Sequence, residues 1–418
     1  MVTVSLIYNN FYDAPNPLCL APWNCLTVHP DGRINSDMHF KAFYGSLYKN
    51  TLGELWHSEV AKDLRADIIN RRYNKFCETC MKKDKLVGKS RRHYFWDIFP
   101  HDLKSREVKL EDDPDIIYLD FTTSNVCNLK CIHCSGEVST AWLKDEKKLQ
   151  HREWRSKTAP WGRLDVSCID NLFANPNHFR NLRFVALRGG EPLYEKHNLH
   201  LLQQFVDNKT SKNITLDIST NAAVLDKKFL ELFPHFKEIQ LYISIEGAGE
   251  MYSILRGGHF KAEDLEQNLK TFLDIPNLRI CFAITTMSAN VMHLLDTWRW
   301  LRPYLDYGVE FSFSNTVVSP RYLDIDVLPK DIKQDALTKV QLIPQTLEYR
   351  AGGEYNSGIH NVIKSLKTPK FTEEERLKRF KHFLKYMGDL DRIRDTKYFD
   401  LVPELKPWHE KYYDYPKL

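Results

Sequence analysis

The 418-residue sequence predicts an α/β protein built on a partial parallel barrel of six β/α units, a (β/α)6 barrel. Six short apolar, β-branched segments recur between about residues 115 and 320, each separated from the next by loops and helical segments. Cysteine groups lie before and after the first of these segments, and no strand-like segment follows the last. We therefore divide the chain into a small cysteine-rich module (1–90), the barrel (115–320) and a helical extension (325–418).

Composition and charge exclude several classes of protein. Hydrophobic residues make up 43% of the chain and charged residues 27%, as in ordinary globular proteins. The 59 basic and 55 acidic residues nearly cancel, so we expect no nucleic-acid partner. No apolar run approaches the ~20 residues of a membrane span, and the segment MVTVSLIYNN does not resemble a secretory signal. We therefore expect a cytoplasmic protein without membrane contact.

The first region combines a strand, a turn and a helix with a pair of cysteines. The alternating segment WNCLTV predicts a strand, and Pro30-Asp31-Gly32 predicts a turn after it. One helix is predicted from the apolar positions Leu52, Leu55, Val60, Leu64 and Ile68. A basic stretch follows Cys77 and Cys80, at Lys82, Lys83, Lys85, Lys89, Arg91 and Arg92. We interpret this stretch as a solvent-facing linker, with an anion-binding edge as the alternative.

Six strands are predicted in the second region. They are IIYLDF (116–121), LRFVALR (182–188), ITLDIST (214–220), IQLYISI (239–245), RICFAITT (279–286) and VEFSFSN (309–315). From the second strand on, the starts are 32, 25, 40 and 30 residues apart, which is the spacing of β/α units in a parallel sheet. The first gap of 66 residues is too long for one crossover. We expect an insertion there, formed by AWLKDEKKLQHREW and TAPWGRLD.

The third region predicts a long helix over residues 368–394. Thr372 and Glu375 have the spacing of a capping box at its start. An apolar stripe for packing against the barrel is predicted at Leu377, Phe380, Leu384 and Met387. Near the end of the helix we expect a local ion pair between Asp391 and Arg394.

Nine cysteines in a chain without secretory features point to metal ligands. Cys127, Cys131 and Cys134 form a C-x3-C-x2-C triplet directly after the first barrel strand. Thiolates suit iron–sulfur clusters and zinc, and three of them would leave one iron of a four-iron cluster open. A zinc site completed by His133 is the alternative. We interpret Cys168 and Cys281, which stand alone, as buried core residues.

The triplet after the first strand of a partial barrel resembles the radical S-adenosylmethionine (SAM) superfamily. Asn125, Asn128 and Leu129 match the usual surroundings of its cysteines, and Arg188-Gly189-Gly190-Glu191-Pro192 resembles its GGE motif. Further matches to the family occur in the later β/α units. Ser219-Thr220-Asn221 ends the third strand, and the segment from Tyr252 to Gly258 follows the fourth, with Leu255 where isoleucine is usual. The cofactor-binding residues implied by the resemblance are Gly189, Gly190, Glu191, Ser219, Asn221, Ser244, Glu246 and Arg256.

The first region is similar to auxiliary-cluster modules of the SPASM or twitch type. Cys19, Gly32 and the Cys77/Cys80 pair have the module's spacing, but Asp37 stands where its second cysteine is usual. The module also precedes the barrel here, whereas many relatives carry it after. The resemblance implies a second four-iron cluster with Cys19, Cys77 and Cys80 as ligands. The fourth ligand is left open between Asp37, Cys25, His39 and an unligated iron, and a zinc knuckle of Cys19, Cys25, Cys77 and Cys80 is the alternative.

The resemblance implies an enzyme that holds a [4Fe-4S] cluster on Cys127, Cys131 and Cys134 and binds S-adenosylmethionine. It further implies reductive cleavage to a 5′-deoxyadenosyl radical, which abstracts hydrogen from a substrate. A peptide is the favoured substrate, with a small metabolite or nucleotide as alternatives, and flavodoxin or ferredoxin is the expected reductant. The competing hypothesis is a non-catalytic, metal-stabilised protein that grips nucleic acid with the Cys77/Cys80 module and the basic stretch.

Overall fold

The computed structural model describes residues 4–5, 18–87, 90–101, 107–149, 162–257, 259–317, 319–343 and 359–413. Its strands are β1 (Val4–Ser5), β2 (Cys25–Val28), β3 (Arg33–Asn35), β4 (Gly45–Ser46), β5 (Glu107–Val108), β6 (Tyr118–Thr122), β7 (Phe184–Arg188), β8 (Thr215–Thr220), β9 (Glu238–Ser244), β10 (Leu278–Thr286) and β11 (Glu310–Thr316). Its helices are α1 (Ala21–Asn24), α2 (Leu52–Trp56), α3 (Glu59–Ile69), α4 (Glu78–Val87), α5 (Arg91–Ile98), α6 (Leu143–Glu146), α7 (Val166–Leu172), α8 (Lys196–Asp207), α9 (Lys227–Leu232), α10 (Gly249–Arg256), α11 (Ala262–Leu273), α12 (Leu294–Leu301), α13 (Lys330–Val340), α14 (Ile359–Lys367), α15 (Glu373–Arg394), α16 (Tyr398–Leu401) and α17 (Lys406–Tyr412). Across these ranges, no helix has the length and apolar character needed to cross a membrane.

A nine-stranded sheet, in the order β11-β10-β9-β8-β7-β6-β2-β3-β4, organises the molecule. The six strands from β6 to β11 are neighbours in chain order and pair in parallel. Helical segments connect them, as parallel pairing requires. The predicted partial barrel is therefore confirmed, and each predicted strand agrees with the observed one to within two residues.

The amino-terminal region extends this sheet beyond β6. Strand β2 pairs in parallel with β6, with Cys25 opposite Tyr118 and Thr27 opposite Asp120. Strands β3 and β4 then continue the sheet in antiparallel pairing. The cysteine-rich module is thus joined to the barrel by backbone hydrogen bonds, which the sequence analysis did not anticipate.

The single helix predicted over Leu52 to Ile68 is two helices, α2 and α3. The side chain of Thr51 accepts a hydrogen bond from the Glu54 amide and begins α2. The side chain of Ser58 accepts from the Ala61 amide and begins α3. Each hydroxyl satisfies an amide that would otherwise be unpaired at a helix start, so two separate helices begin here. The apolar spacing runs across the break between them, which is why the sequence pattern predicted one helix.

The linker interpretation of the basic stretch is wrong for its last two residues. Arg91 and Arg92 are buried, and they form ion pairs with Asp37 and Asp84 respectively. Lys82 and Lys85 are solvent-exposed on α4, as predicted, and Lys89 lies outside the described residues. Arg91 was misassigned because its acidic partner lies 54 residues earlier in the chain, and Arg92 because its partner Asp84 is an acidic residue within the basic stretch itself.

The carboxyl-terminal helix α15 begins at the predicted capping box of Thr372 and Glu375. Its apolar stripe is buried at Phe380, Leu384 and Met387, but Leu377 is 42% exposed. The apolar stripe therefore begins at Phe380, and the buried residue in the first turn of α15 is Arg376, which donates to the Asp326 carbonyl at 3.2 Å.

The expected Asp391–Arg394 pair is also wrong. The Asp391 carboxylate accepts from the Thr396 hydroxyl and the Tyr398 amide, while Arg394 pairs with Asp145 at 2.9 Å. Of the predicted insertion, Leu143–Glu146 is helical and residues 150–161 lie outside the described part. Cys168 and Cys281 are buried in the core, as expected.

Candidate functional site

Three cysteines share the loop that follows β6. Cys131 is buried, and Cys127 and Cys134 are half-buried. The Cys134 amide donates to the Cys131 carbonyl at 2.9 Å, which folds the end of the triplet into a turn. A hydrogen bond from the Cys134 thiol lowers the pKa of Cys131 to about 6. Burial, followed by the charge on Cys131, raises the pKa of Cys127 to about 12. The three thiols therefore influence one another's ionisation within a single loop.

Three other parts of the chain fix the backbone of this loop. The Ile132 amide donates to the Leu255 carbonyl at 2.9 Å, at the end of α10. The Trp142 indole donates to the Cys131 carbonyl at 2.7 Å, and the Tyr386 hydroxyl on α15 donates to the Ile132 carbonyl at 2.6 Å. The carboxyl-terminal extension thus directly supports the loop that carries the cysteines.

The predicted Gly-Gly-Glu segment lies against the same loop. The Gly190 amide donates to the Ser124 carbonyl at 3.0 Å, and the Glu191 amide donates to the Val126 carbonyl at 2.8 Å. A Cβ atom at Gly190 would lie 2.3 Å from the Val126 carbonyl oxygen. Gly189 has a φ of +119°, a value that side chains rarely tolerate. Both glycines are therefore required for this close approach of two backbones.

The carboxylate of Glu191 is buried and accepts three hydrogen bonds within the chain. Its donors are the Leu193 amide (3.0 Å), the Thr220 hydroxyl (2.7 Å) and the Asn221 amide (2.6 Å). Burial raises the pKa of Glu191, and the donors act against that rise. The carboxylate thus ties the end of β7 to the end of β8, while its segment stays beside the cysteine loop.

The other candidate residues also lie at the carboxyl ends of their strands. The Asn221 side chain donates to Asn128 Oδ1 at 2.8 Å, so the segment after β8 meets the cysteine loop. Ser219 accepts a hydrogen bond from Arg188 at 2.5 Å. Ser244 ends β9 and is half-buried. Gly258, the last position of the Tyr252 segment, lies outside the described residues.

A buried ion pair lies beside the cysteines. Arg256 Nη1 and Glu246 Oε2 are 2.8 Å apart, and both side chains are buried. Burial alone would lower the pKa of Arg256, but Cys131 and Glu246 raise it well above its usual value. Arg256 Nε and Glu246 Oε1 have no hydrogen-bond partner. Such orphaned atoms beside a fixed positive charge fit a site for a carboxylate-bearing cofactor next to a thiolate-bound cluster.

A second group of sulfur atoms surrounds a cavity in the amino-terminal region. Its lining includes Cys19, Asp37, His39, Cys77 and Cys80, but Cys25 does not line it. Burial raises the pKa values of Cys19 and Cys77 to about 12. A metal would therefore have to displace the protons of these thiols, as thiolate coordination does.

Asp37, in the position of the module's second cysteine, already has partners. Its Oδ1 accepts from the His39 amide at 2.9 Å, and its Oδ2 accepts from Arg91 Nε at 3.2 Å. Across the described ranges, no three His, Cys, Asp or Glu side chains converge on a single-ion site. The donor chemistry of the three cavity cysteines fits an iron–sulfur cluster, which distributes its ligands over several iron atoms.

Sequence reasoning missed two residues near these sites, Arg91 and Asp120. Arg91 was assigned to the linker, although it bonds Asp37 and the Tyr118 hydroxyl. Asp120 is buried within β6, and neither of its oxygen atoms has a hydrogen-bond partner. The available signal was a single acidic residue inside the apolar segment IIYLDF.

Comparisons with known proteins agree with this arrangement. The family model described as the radical SAM superfamily matches residues 121–301, and the iron–sulfur cluster-binding domain SPASM matches residues 19–81. No curated protein matches the chain.

Solved structures resemble parts of the fold at low identity. The chain is similar to the radical SAM methyltransferase TsrM from Kitasatospora setae (14% identity, TM-score 0.32, 46% of this chain and 36% of that one). It is also similar to Streptococcus suis SuiB bound to the precursor peptide SuiA (16%, TM-score 0.34, 68% and 63%) and to TYW1 with a lysine–pyruvate adduct (16%, TM-score 0.29, 56% and 72%). The chain thus spans less than two thirds of the length of the first two.

The radical SAM domain implies a [4Fe-4S] cluster and S-adenosylmethionine, and the SPASM domain implies additional iron–sulfur clusters. The cysteine loop, the glycine pair and the Arg256–Glu246 pair fall within the first match, and the amino-terminal cavity falls largely within the second. The chain therefore contains a radical SAM domain, which supports an enzyme, and it carries a SPASM iron–sulfur cluster-binding domain on the amino-terminal side of that domain.

Proposed function

We propose that this enzyme reductively cleaves S-adenosylmethionine and abstracts hydrogen from a substrate bound inside the barrel. When bound, the cluster and the cofactor supply the one-electron cleavage that yields methionine and a 5′-deoxyadenosyl radical. The observation that carries the proposal is the shared site of Cys127, Cys131 and Cys134 beside the Arg256–Glu246 pair.

The chain's own residues have three tasks in this proposal. The three cysteines hold the cluster, and Arg256 binds the cofactor carboxylate with its guanidinium. Gly189 and Gly190 bring backbone polar groups next to the cysteine loop. Glu191 and Asn221 hold the ends of β7 and β8 together, and Ser219 and Ser244 border the space beyond them.

For the auxiliary site we propose thiolate ligation by Cys19, Cys77 and Cys80. Asp37 either binds the fourth iron or stands beside an open one. Its hydrogen bond from Arg91 favours the open form, because binding iron would require that carboxylate oxygen to exchange a buried partner. An auxiliary cluster of this kind would pass electrons or bind the substrate directly.

We propose a peptide as the substrate, by analogy with relatives that carry auxiliary clusters, and a flavodoxin or ferredoxin as the electron donor. A cytoplasmic setting would keep the cysteines reduced. The nucleic-acid-binding alternative loses two of the six basic residues on which it rests, since Arg91 and Arg92 are buried in ion pairs.

The test is anaerobic reconstitution with iron and sulfide, followed by reduction with dithionite and measurement of 5′-deoxyadenosine. We expect about eight iron atoms per chain, in two four-iron clusters. Alanine at Cys127, Cys131 or Cys134 should abolish cleavage, while Cys168→Ala, a matched change in the core, should retain it. Cleavage at the wild-type rate in any of the three variants would overturn the assignment. Four iron atoms and one zinc per chain would remove the auxiliary cluster.

The substrate class can be tested by isotope transfer. Deuterated peptide, metabolite and nucleotide fractions are incubated separately with the reconstituted enzyme, and deuterium is measured in 5′-deoxyadenosine. Deuterium from the peptide fraction is expected. Transfer from the metabolite or nucleotide fraction alone would contradict the peptide assignment.

A further inference from the structure

The two faces of the barrel sheet differ in chemistry. Alternate residues of β7, β8 and β9 are aliphatic and almost fully buried, at Val185, Leu187, Leu216, Ile218, Ile239, Leu241 and Ile243. Of the intervening residues, Phe184 and Ala186 are apolar and Thr215 is buried, whereas polar, half-buried side chains stand at Arg188, Asp217, Ser219, Gln240, Tyr242 and Ser244. Because side chains alternate between the faces of a strand, the polar set lines one continuous face. We call this face, with Asp120 on β6 and Glu310 on β11, the lumen.

Asp120 belongs to the lumen by its position in β6. It alternates with Tyr118 and Thr122, and its register neighbours are Thr27 on β2 and Ala186 on β7. Ala186 is opposite Asp217 on β8, so the same row continues to a polar lumen residue. The residue between the two carboxylates in this row is therefore an alanine, which is itself fully buried.

The carboxylate of Asp120 is buried without a partner. Its side chain is 1% exposed, and neither oxygen atom accepts a hydrogen bond. A buried polar group in this condition is costly, and native proteins rarely retain one without a role. The described part of the chain supplies no donor to these oxygen atoms, so they can accept a hydrogen bond from a bound molecule.

The arginines nearest to Asp120 are engaged elsewhere. Arg188 Nη1 donates to Asp217 Oδ1 at 2.8 Å and to Ser219 Oγ at 2.5 Å. Arg91 donates to Asp37 at 3.2 Å and to the Tyr118 hydroxyl at 2.9 Å. Each guanidinium thus has a carboxylate of its own, and Asp120 has none.

The charges of the lumen do not balance. Asp120, Asp217 and Glu310 are three carboxylates, and Arg188 pairs with one of them. Arg279, opposite Gln240 on the same face, pairs with Glu238 at 3.0 Å and so leaves the excess unchanged. Glu310 is opposite Cys281 in the sheet register, and the pKa of that buried thiol is raised by burial and then by Glu310 and Asp217. The excess negative charge extends along the sheet from β6 to β11, and it favours a positively charged occupant.

We propose that the substrate enters the lumen with a cationic nitrogen group, an ammonium or a guanidinium, which binds Asp120. For a peptide substrate, this group is a lysine or arginine side chain. The inference rests on the proposed function, because the lumen holds the substrate only if the radical forms at the carboxyl ends of these strands. A cation is preferred over a neutral donor because it offsets the excess charge as well as the missing hydrogen bonds.

The test uses small probes that imitate the two side chains. Reconstituted holoenzyme is titrated anaerobically by calorimetry with n-butylammonium and n-butylguanidinium, and with pentanol and pentanoate as neutral and anionic probes of similar length. The cations should bind wild type at least about tenfold more tightly than the other probes. Asp120→Asn should lose this preference, while Asp306→Asn, the same change on an exposed turn, should keep it. Equal binding of all probes, or an unchanged preference in Asp120→Asn, would overturn the proposal.

Formation of 5′-deoxyadenosine without substrate, measured on the same samples, separates this inference from the proposed function. Wild type that cleaves the cofactor but shows no preference for cations refutes the inference alone. Wild type that prefers cations through Asp120 but cleaves no cofactor refutes the proposed function alone. Should Asp120→Asn lose its iron, the wild-type titration still decides, because equal binding of the cationic, neutral and anionic probes refutes the inference.

Discussion

Replacing Gly190 with alanine tests how closely the glycine pair must approach the cysteine loop. The added Cβ would lie 2.3 Å from the Val126 carbonyl oxygen, 2.6 Å from its carbonyl carbon and 2.7 Å from the Asn125 carbonyl carbon. Ordinary contact begins at 3.4 Å, so one of the two backbones must move by about 1 Å. No side-chain rotation relieves this contact, because all three atoms belong to the backbone immediately before Cys127.

The energetic cost follows from the same contacts. Overpacking of this kind costs about 1–3 kcal/mol. The displacement also weakens the hydrogen bonds from the Gly190 and Glu191 amides to the cysteine loop, each worth about 1 kcal/mol. We expect a loss of about 2–5 kcal/mol in the free energy of unfolding. A 1 Å displacement of the cluster loop should also reduce cofactor cleavage by about a hundredfold.

The assay measures iron per chain, absorbance near 400 nm and the rate of 5′-deoxyadenosine formation. Gly53→Ala is the matched control, since a Cβ there meets nothing within 4 Å and the residue lies in helix α2. The control should keep the wild-type iron content and rate. Wild-type iron content and rate in Gly190→Ala would refute the argument that the two backbones must touch.

Three further changes have expected outcomes. Tyr386→Phe removes the donor to the buried Ile132 carbonyl, so we expect the free energy of unfolding to fall by about 1–3 kcal/mol and a chelator to remove iron faster. Unchanged iron release would contradict the supporting role of α15. Asp37→Ala should keep its iron if the auxiliary cluster has an open iron and lose it if the carboxylate is a ligand, as iron analysis would decide. Burial raises the pKa of Asp120 from 3.8 to about 6. Ionisation of this carboxyl group therefore destabilises the fold by about 3 kcal/mol above pH 6. At a pH far below 3.8 the group is protonated in both states, and the destabilisation is zero. The stability advantage of Asp120→Asn in denaturant titrations should therefore grow by about 1.4 kcal/mol from pH 5 to pH 8, and a constant difference would contradict this assignment.

Local patterns in the sequence were enough to predict the barrel and the cysteine triplet. The β-branched segments mark the strands because a strand buried under helices must be apolar over most of its length. Cys127, Cys131 and Cys134 lie within eight residues of one another, so their spacing alone brings the sulfur atoms together. The Gly-Gly-Glu segment was recognisable only by its resemblance to a family motif after the second strand, and the structure adds the close backbone contact that glycine permits there.

Contacts between distant parts of the chain could not be predicted in this way. Arg91 pairs with Asp37 across a sequence separation of 54 residues, and Arg394 pairs with Asp145 across a separation of 249 residues. Neither pair has a periodicity or spacing that marks it, since either partner could have faced solvent. Asp120 is a similar case, because its missing partner becomes evident only when the neighbouring strands and their arginines are known.

The parallel pairing of β2 with β6 has a consequence for the modularity of this protein. Residues 19–81 match a domain of their own, yet β2 covers the hydrogen-bonding edge of the first barrel strand. Removing the amino-terminal domain would expose that edge at Tyr118 to Phe121, a buried and largely apolar segment. Exposed edges of this kind recruit other strands and lead to aggregation. The auxiliary domain therefore also acts as the cap of the barrel sheet, and it could be exchanged for another module only if the replacement supplied an equivalent parallel strand.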